Sequence, residues 1–530
     1  MMNINRASLI VLFAVFMMTF DNIAMYRNIL EVYSLQAKNV PFLLSLVVVF
    51  SCAIVFLMSL VCYKHTIKPV LISVLLISAS TSYFMMTYNV VIDDIMIANM
   101  LQTDNAEISD LMNIKFFLYI FFLGVLPSIW VLRIKIKQVT LKKEVLSNLK
   151  LATISMTVAL SLVLVFSSYY ASFFREHKML RFYANPTYYL YSAVNYAGSF
   201  FKGANAELKK IALDAVIEKS PGPRKLVVMV VGETARSDRF SLNGYTRETN
   251  PELKKENIDN YSNVWSCGTS TSVSVPCMFS MYNRSDYSSS KAKSTENVLD
   301  VLKRSGVNVL WLDNNTGSKG VASRILFESY RDEKVNPICD IECRDVGMLS
   351  RLKSYIQVHP EGDIFIVMHQ MGNHGPAYYK RYPERFEKYQ PVCKTNQLED
   401  CSKEEIDNAY DNAILYTDHF LAKVISELKQ YSPDFNTSMV YVSDHGESLG
   451  ENGLYLHGLP YMFAPDVQKK VPMITWFSKK DNASLHKSRT VKHIGGEYTH
   501  DNIFHSILGL LKVNTQAYKH NLDIFHGVKY

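Results

Sequence analysis

The chain has 530 residues, which is enough for more than one domain. Its first third is strongly apolar and the remainder has the mixed composition of a soluble α/β domain, so the mean hydropathy of +0.01 averages two populations. The net charge of +7 is spread along the chain without a long block of like charge, which argues against a nucleic-acid-binding protein.

Five apolar stretches in the first third are each close to the ~20 residues that a helix needs to cross a bilayer. The first follows Arg6 and lacks a small-x-small cleavage site, so we expect an uncleaved anchor rather than a signal peptide. We therefore predict a five-helix transmembrane domain over residues 1–170, with spans near 8–26, 41–62, 69–89, 115–132 and 151–169.

The loops between these spans alternate in charge. Those after the second and fourth spans are basic, with Lys64, Lys68, Arg133, Lys135, Lys137, Lys142 and Lys143. The loop after the third span is acidic, with Asp93, Asp94, Asp104, Glu107 and Asp110. Because basic loops stay in the cytoplasm, we expect a cytoplasmic N-terminus and an external chain after Tyr169.

An aromatic segment with interleaved cationic residues follows, from 173 to 201. It is typical of a segment at the membrane interface, and equally of a linker helix packed on the soluble domain. A Pro- and Gly-rich run at 219–223 then marks a boundary. We expect an interfacial linker at 171–222 and a soluble domain at 223–530.

The cysteines indicate an oxidising compartment. Cys52 and Cys62 lie in the second span and are interpreted as apolar residues. The other six allow fifteen pairings. They stand as three close neighbours, which favours local disulfides between Cys267 and Cys277, Cys339 and Cys343, and Cys393 and Cys401. Disulfides persist in compartments such as the periplasm, in agreement with the external placement.

Strand and helix patterns alternate in the soluble half. Short apolar runs at 226–231, 307–312, 363–368 and 438–442 predict buried strands, and helical periodicity at 295–305, 351–356 and 407–431 predicts the helices between them. This alternation favours a parallel sheet with helices on both faces, so we predict an α/β domain.

Polar residues with metal-binding chemistry follow two of these strands. Glu233 comes after the first strand and Asp444-His445 after the last, while Thr271 and His457 lie in polar loops. We expect them to converge, because chemistry in α/β sheets collects beyond the carboxyl ends of the strands. Oxygen ligands and an imidazole suit a divalent metal, with zinc the first choice, and the Thr271 hydroxyl would be a metal-activated nucleophile.

Each of these features also has an ordinary explanation. An Asp-His-Gly after a strand is often a capped turn, a Ser/Thr-rich stretch is usually a loop, and His369 could be a structural strand-end histidine. Their joint occurrence at successive strand ends, together with His369 and His374 after the third strand, favours a functional site.

Five motifs carry a family resemblance: Gly232-Glu233-Thr234-Ala235-Arg236, Cys267-Gly268-Thr269-Ser270-Thr271 with Cys277, Ser318-Lys319-Gly320, His374-Gly375-Pro376 and Ser443-Asp444-His445-Gly446-Glu447. With them the whole chain resembles the lipid A phosphoethanolamine transferases, which include the colistin-resistance enzymes, within the alkaline phosphatase/sulfatase superfamily. The resemblance implies an N-terminal five-helix transmembrane domain and a periplasmic catalytic domain of alkaline phosphatase/sulfatase-like fold, in a Gram-negative inner membrane.

The resemblance also implies a chemistry. It implies zinc held by Glu233, Thr271, Asp444 and His445, a phosphoethanolamine adduct on Thr271, phosphatidylethanolamine as donor, lipid A phosphate as acceptor, and polymyxin resistance as the outcome. It implies that Lys319, His369, His374 and His457 bind the phosphate or a second zinc. It implies that Asn99, Thr103 and Glu107 bind phosphoethanolamine; their i, i+4, i+8 spacing places them on one helical face, which would otherwise be interpreted as a solvated face.

Three other functions are weighed against this one. A sulfatase requires Cys or Ser-x-Pro-x-Arg, but residues 274–278 end in Met278. A glycerol-phosphate polymerase of the lipoteichoic acid type shares the threonine nucleophile, but the cysteine content and the Asn99 face argue against it. A non-enzymatic metal-binding sensor or transporter subunit is left open by the motifs, and it predicts no turnover of phosphatidylethanolamine.

Overall fold

The computed structural model describes residues 3–103, 105–204, 207–218, 222–478 and 491–526, with the side chains at 3, 105–107 and 199–204 left out. The chain forms two compact units. The first comprises Met1–Ile97 and Met112–Ala197, and the second comprises Ala98–Leu111 and Gly198–Tyr530. The short segment 98–111 thus interrupts the first unit in sequence and belongs to the second.

The first unit consists of apolar helices. Among its described residues, four are long and apolar enough to cross a membrane: Val40–Val61, Ile67–Tyr88, Ile114–Arg133 and Leu141–Val165. A fifth candidate is a pair, Arg6–Asp21 and Ile23–Val32, bent by 62°. Of the shorter helices, Ser167–Arg175 belongs to this unit, Asn105–Leu111 belongs to the second unit, and Asp94–Gln102 and Thr187–Ala204 cross from one unit to the other in sequence.

The first span differs from its prediction because its helix breaks at Asn22 and then continues to Val32. Asn22 leaves the helical conformation, with φ −114° and ψ 21°. Its carboxamide donates to the Asn185 carbonyl oxygen at 2.6 Å and accepts from the Asn185 N–H at 2.8 Å. The break is therefore held by backbone groups from a distant part of the chain.

The aromatic segment after the fifth span packs against the spans. Phe173 is fully buried, and its ring lies 6.2 Å from Phe50 and 6.5 Å from Phe42, between centroids. The Tyr189 hydroxyl lies 3.2 Å from the Ser78 hydroxyl. These contacts join Phe173 and Tyr189 to the apolar helices of the first unit.

The second unit is built on a mixed sheet, with nine strands in the described part of the chain. They are β1 (Arg224–Gly232), β2 (Asp259–Trp265), β3 (Asn308–Asp313), β4 (Leu326–Ser329), β5 (Ile364–His369), β6 (Phe435–Ser443), β7 (Lys470–Phe477), β8 (Lys492–Ile494) and β9 (Tyr498–Thr499). Their order is β8-β2-β7-β6-β1-β5-β3-β4, with β9 also paired to β2. The four predicted strands are the central, parallel β6, β1, β5 and β3. The sheet is not purely parallel, because β7 runs antiparallel to β6 and β2.

The helices of this unit cover both faces of the sheet, as expected for an α/β domain. They are Thr271–Met278, Ser289–Lys293, Val298–Arg304, Ser350–Val358, Lys403–Tyr431 and Ile503–Leu510. Side chains alternate along β1, so Leu226, Val228 and Val230 join one hydrophobic cluster and Val227, Met229 and Val231 join another. Each of these side chains is at most 1% exposed, and burying one contributes about 1.5–3 kcal/mol.

Three disulfides confirm the predicted local pairing: Cys267–Cys277, Cys339–Cys343 and Cys393–Cys401. Short strand pairs outside the main sheet, within the described ranges, are Asn3–Ile4 with Lys135–Ile136, Val216–Ile217 with Val513–Asn514, and Ser448–Leu449 with Tyr455–Leu456.

Candidate active site

The carboxyl ends of the central strands bring the candidate residues to one edge of the sheet. Gly232 at the end of β1 pairs with Ser443 at the end of β6, so the next residues, Glu233 and Asp444, emerge side by side. The Asp444 N–H donates to the Gly232 carbonyl oxygen at 2.9 Å. His369 is the last residue of β5, the neighbour of β1 on its other side.

Glu233, Asp444 and His445 form one cluster, in which the candidate ligand atoms lie within 4.8 Å of one another. All three residues are buried. His445 Nε2 lies 3.5 Å from Glu233 Oε1 and 3.3 Å from Asp444 Oδ2. The Thr271 hydroxyl donates to Glu233 Oε2 at 3.2 Å and lies 3.4 Å from His445 Nε2. The structure thus brings together the four residues that the sequence analysis singled out as metal ligands.

Two buried carboxylates side by side favour either protonation or a bound cation. Burial raises the pKa of Glu233 well above its ordinary value, and the charge of Asp444 raises it further. Burial also raises the pKa of Asp444 and lowers the pKa of His445 to about 3. Within the described residues, Asp444 Oδ2 has no hydrogen-bond partner. A divalent ion would balance both charges and use this oxygen, so the donor set fits zinc.

Two histidines are oriented by backbone groups. His445 Nδ1 donates to the Gly446 carbonyl oxygen at 2.9 Å, which turns Nε2 with its lone pair toward the cluster. His500 accepts from the Cys267 N–H at 3.1 Å and donates to the Ser443 carbonyl oxygen at 3.0 Å. His500 therefore ties the Cys267 loop to the end of β6, a role that the sequence analysis missed.

Thr271 is held by the loop that precedes it and the helix that it begins. It is the first residue of the helix Thr271–Met278, after an extended Ser270, and the Cys267–Cys277 disulfide spans this turn. Just before it, the Thr269 hydroxyl donates to the Leu459 carbonyl oxygen at 2.6 Å. These contacts fix the hydroxyl of Thr271 opposite the carboxylates.

Two motif glycines are required by close packing. A Cβ on Gly232 would approach the Tyr441 ring to 2.6 Å. A Cβ on Gly446 would collide with the Val467 carbonyl oxygen. The glycines of the Gly-Glu and Asp-His-Gly motifs therefore allow the neighbouring Glu233 and His445 to reach the cluster.

Asn315 and His369 surround the Glu233 carboxylate. The Asn315 carboxamide donates to Glu233 Oε2 at 2.7 Å and to the Gln370 carbonyl oxygen at 2.7 Å. His369 Nε2 lies 3.9 Å from the same Glu233 oxygen, and its Nδ1 lies 3.0 Å from Asp313 Oδ2. Sequence analysis predicted His369 near the site but missed Asn315, although it lies just beyond a predicted strand.

The remaining soluble-domain candidates lie around the same cluster. The ring centroids of His445 and His457 are 4.3 Å apart, and those of His374 and His457 are 5.7 Å apart. Electrostatic interactions with His374 and with Lys319 partly oppose the rise in the pKa of Glu233, which places both residues within electrostatic reach of it. The Lys319 ammonium donates to the Thr316 hydroxyl at 2.6 Å.

The membrane-side trio is only partly as expected. The Asn99 side chain accepts a hydrogen bond from the Ser272 hydroxyl, beside Thr271. The Thr103 hydroxyl donates to the Asn99 carbonyl oxygen at 2.8 Å, and the helix ends at Gln102. A second helix begins at Asn105, so the expected continuous helical face is wrong. The side chain of Glu107 lies outside the described residues.

Known proteins are similar to both parts of the chain. The family models described as Sulfatase and as Phosphoethanolamine transferase EptA/EptB match residues 225–513 and 50–199. The phosphatidylethanolamine transferase Mcr-1 of Escherichia coli is 46% identical over 519 residues, which are 96% of this chain and 95% of that protein. The phosphoethanolamine transferase EptA of Escherichia coli K12 is 40% identical over 516 residues, 95% and 93% of the two chains.

A solved structure agrees with this relationship. The integral membrane protein lipooligosaccharide phosphoethanolamine transferase A from Neisseria meningitidis superimposes with a TM-score of 0.92 and 34% identity over 99% of each chain. The apolar helices and this match identify a multi-pass membrane protein with a periplasmic C-terminal domain of alkaline phosphatase-like fold. Identity of this extent along nearly the whole length shows that the chain belongs to the phosphoethanolamine transferase family.

Proposed function

We propose that this transferase moves phosphoethanolamine from phosphatidylethanolamine to lipid A through a covalent adduct on Thr271. The observation that carries the proposal is the position of the Thr271 hydroxyl, 3.2 Å from Glu233 and 3.4 Å from His445 in a buried cluster. The substrate classes are supported by similar proteins, since Mcr-1 is named for phosphatidylethanolamine and the Neisseria meningitidis enzyme for lipooligosaccharide.

A zinc ion is proposed to be held by Glu233, Thr271, Asp444 and His445. Two carboxylates, a neutral imidazole and a hydroxyl suit its four-coordinate, redox-inert chemistry. Bound there, zinc would lower the pKa of the Thr271 hydroxyl and polarise a phosphoryl oxygen. Asn315, which donates to Glu233 Oε2, would keep that carboxylate in a fixed orientation.

In the first step, Thr271 Oγ1 forms a bond to the phosphorus of the donor as the bond from phosphorus to the glycerol oxygen breaks. The hydroxyl proton must reach that glycerol oxygen for diacylglycerol to leave as an alcohol. His374 and His457 are proposed to relay it, since their rings stand 5.7 Å apart beside the cluster. Lys319 and His369 are proposed to hold the phosphoryl oxygens.

In the second step, a phosphate oxygen of lipid A attacks the phosphorus carried by Thr271. The bond from phosphorus to Thr271 Oγ1 breaks, and the hydroxyl is restored when it regains a proton. Division into two displacements means that the site never has to hold both bulky lipids at once. Both substrates are lipids, which accounts for a catalytic domain joined to membrane spans.

The proposal also assigns domains and a location to the rest of the chain. We propose a transmembrane domain at 1–170, a linker at 171–222 and a catalytic domain at 223–530, located in a Gram-negative inner membrane. Asn99, Thr103 and Glu107 are proposed to contact the donor headgroup; the bond between Asn99 and Ser272, next to Thr271, supports this for Asn99.

Mass spectrometry of lipid A from polymyxin-sensitive Gram-negative cells tests the proposed function. Cells that express the chain should contain lipid A heavier by one phosphoethanolamine and should become polymyxin-resistant, because the added ammonium group offsets phosphate charge that attracts the cationic peptide. Cells with Thr271→Ala should show neither change. Unmodified lipid A in cells that contain active enzyme would refute lipid A as the acceptor and point to a core sugar.

A further inference from the structure

The segment 98–111 is joined to the catalytic unit near each of its ends. At one end, Asn99 accepts a hydrogen bond from the Ser272 hydroxyl, next to Thr271. At the other end, Asp110 forms ion pairs with Lys380 and Arg381. The first unit resumes at Met112, two residues beyond Asp110. The segment therefore carries contacts with the active-site domain within a few residues of an apolar span.

Asp110 is a buried carboxylate with two cationic partners. Its side chain is 8% exposed, and Oδ1 pairs with the Lys380 ammonium while Oδ2 accepts from the Arg381 guanidinium at 3.2 Å. The Arg381 side chain is 3% exposed, whereas that of Lys380 is 26% exposed. A buried guanidinium needs such a partner, because an unpaired charge away from water is strongly unfavourable.

Arg381 extends the contact of Asp110 to an active-site histidine. Each of its three guanidinium nitrogens has its own partner. Nη2 pairs with Asp110, Nη1 pairs with Glu342, and Nε donates to the His374 carbonyl oxygen at 2.6 Å. The guanidinium is planar, so its orientation is fixed only while these partners stay in place. Loss of the Asp110 charge would let the plane rotate and would release the His374 backbone.

We propose that Asp110 is a positioning residue, which holds Arg381 and through it keeps His374 aligned for phosphoryl transfer. The inference rests on the proposed function, in which His374 serves the displacement at Thr271. A displacement of about 1 Å in a group that acts on the reacting atoms can reduce a rate by about a hundredfold. Asp110 thereby makes the geometry of the site depend on the segment 98–111, which an apolar span follows in sequence.

The test compares full-length, zinc-loaded variants in detergent micelles with phosphatidylethanolamine as the donor and a saturating concentration of lipid A as the acceptor, so that the enzyme turns over. Asp110→Asn should lower kcat for diacylglycerol release about tenfold to a hundredfold, with KM for the lipid changed less than about twofold. Asp110→Glu should recover most of kcat, because a longer carboxylate still reaches both cations. Asp94→Asn removes an exposed charge from the same acidic loop and should leave kcat unchanged.

A double-mutant cycle tests the route through His374. In a His374→Ala background, Asp110→Asn should lower the residual kcat by less than about twofold, because the aligned group is already gone. Full kcat in Asp110→Asn, or the same fold-loss with and without His374, would overturn the proposal. If Asp110→Asn does not fold, Arg381→Lys decides: it keeps a cation for Asp110 but loses the planar group that donates to the His374 carbonyl oxygen, and an unchanged kcat would contradict the inference.

A wild-type control separates this inference from the proposed function. Wild-type enzyme that releases no diacylglycerol from phosphatidylethanolamine would refute the donor reaction itself. Wild-type release with an unaffected Asp110→Asn variant would refute only the role of Asp110.

Discussion

Only some of the groups around Glu233 could be predicted from the sequence. Thr271 and Asn315 donate to its carboxylate, while the charge of Asp444 opposes its ionisation. The ends of β1 and β6 were readable from apolar runs, so Glu233 and Asp444 could be predicted. Asn315 could not, because an Asn in a polar turn resembles any loop residue. His500 has no motif around it, and its partners lie 57 and 233 positions away.

Substitution of Asp444 tests the proposed zinc ligands. Asp444→Asn keeps the shape of the side chain but removes a charge that the ion would balance, so purified protein should lose its zinc together with its activity. Elemental analysis measures the zinc content. Asp418→Asn is the matched control. Asp418 is also a buried carboxylate, but it lies on the helix Lys403–Tyr431, where it accepts a hydrogen bond from the Leu253 N–H and is not one of the proposed zinc ligands. Full zinc occupancy in Asp444→Asn would show that the assignment is wrong.

Elements with one strong period were predictable, and those fixed by tertiary contacts were not. The helix Lys403–Tyr431 was predicted from its periodicity, four residues short at its start, where Ser402 and Glu405 form a capping box. The strands β2 and β7 were missed, because β2 is rich in polar residues and β7 contains Pro472. The antiparallel β7 takes its direction from its neighbours β6 and β2 rather than from its own sequence.

The Cys267–Cys277 disulfide should matter more to activity than a disulfide of similar loop length elsewhere. The cysteines of the Cys267–Cys277 disulfide are 10 positions apart and those of Cys393–Cys401 are 8 apart, so the two disulfides close loops of similar length. Replacement of either pair by two serines should lower the free energy of unfolding by about 2–3 kcal/mol. Only the first pair spans the turn that presents Thr271, so only its loss should reduce kcat about tenfold or more at a temperature where both proteins are folded. Equal kcat for the two variants would refute this positional effect.

At the scale of the whole chain, the membrane spans were predicted from hydropathy and their orientation from loop charge. Spans of about 20 residues give a strong signal, and four of them are single helices in the structure. The broken first span could not be predicted, since Asn22 is held by Asn185, 163 positions away. The split of the acidic loop into two helices, with 98–111 joined to the catalytic unit, likewise depends on contacts that only the folded chain has.

Reporter fusions test the predicted topology. A reporter that is active only in the periplasm should be active when fused after Gly203 and silent when fused after Lys143, because Lys142 and Lys143 lie at the start of the helix Leu141–Val165, on the basic side that the positive-inside rule predicts to be cytoplasmic. Cell fractionation should find both fusions in the membrane at similar levels. Activity after Lys143 with silence after Gly203 would reverse the orientation.

The most direct test of the account is the mass of the Thr271 peptide after purified enzyme is incubated with phosphatidylethanolamine alone. The account predicts a phosphoethanolamine adduct on Thr271 with release of diacylglycerol, and loss of the adduct when lipid A is added. Thr271→Ser should retain part of the reaction, and Thr271→Ala should lose at least about a thousandfold in rate while still folded. An adduct on another residue, or an active Thr271→Ala variant, would contradict the account.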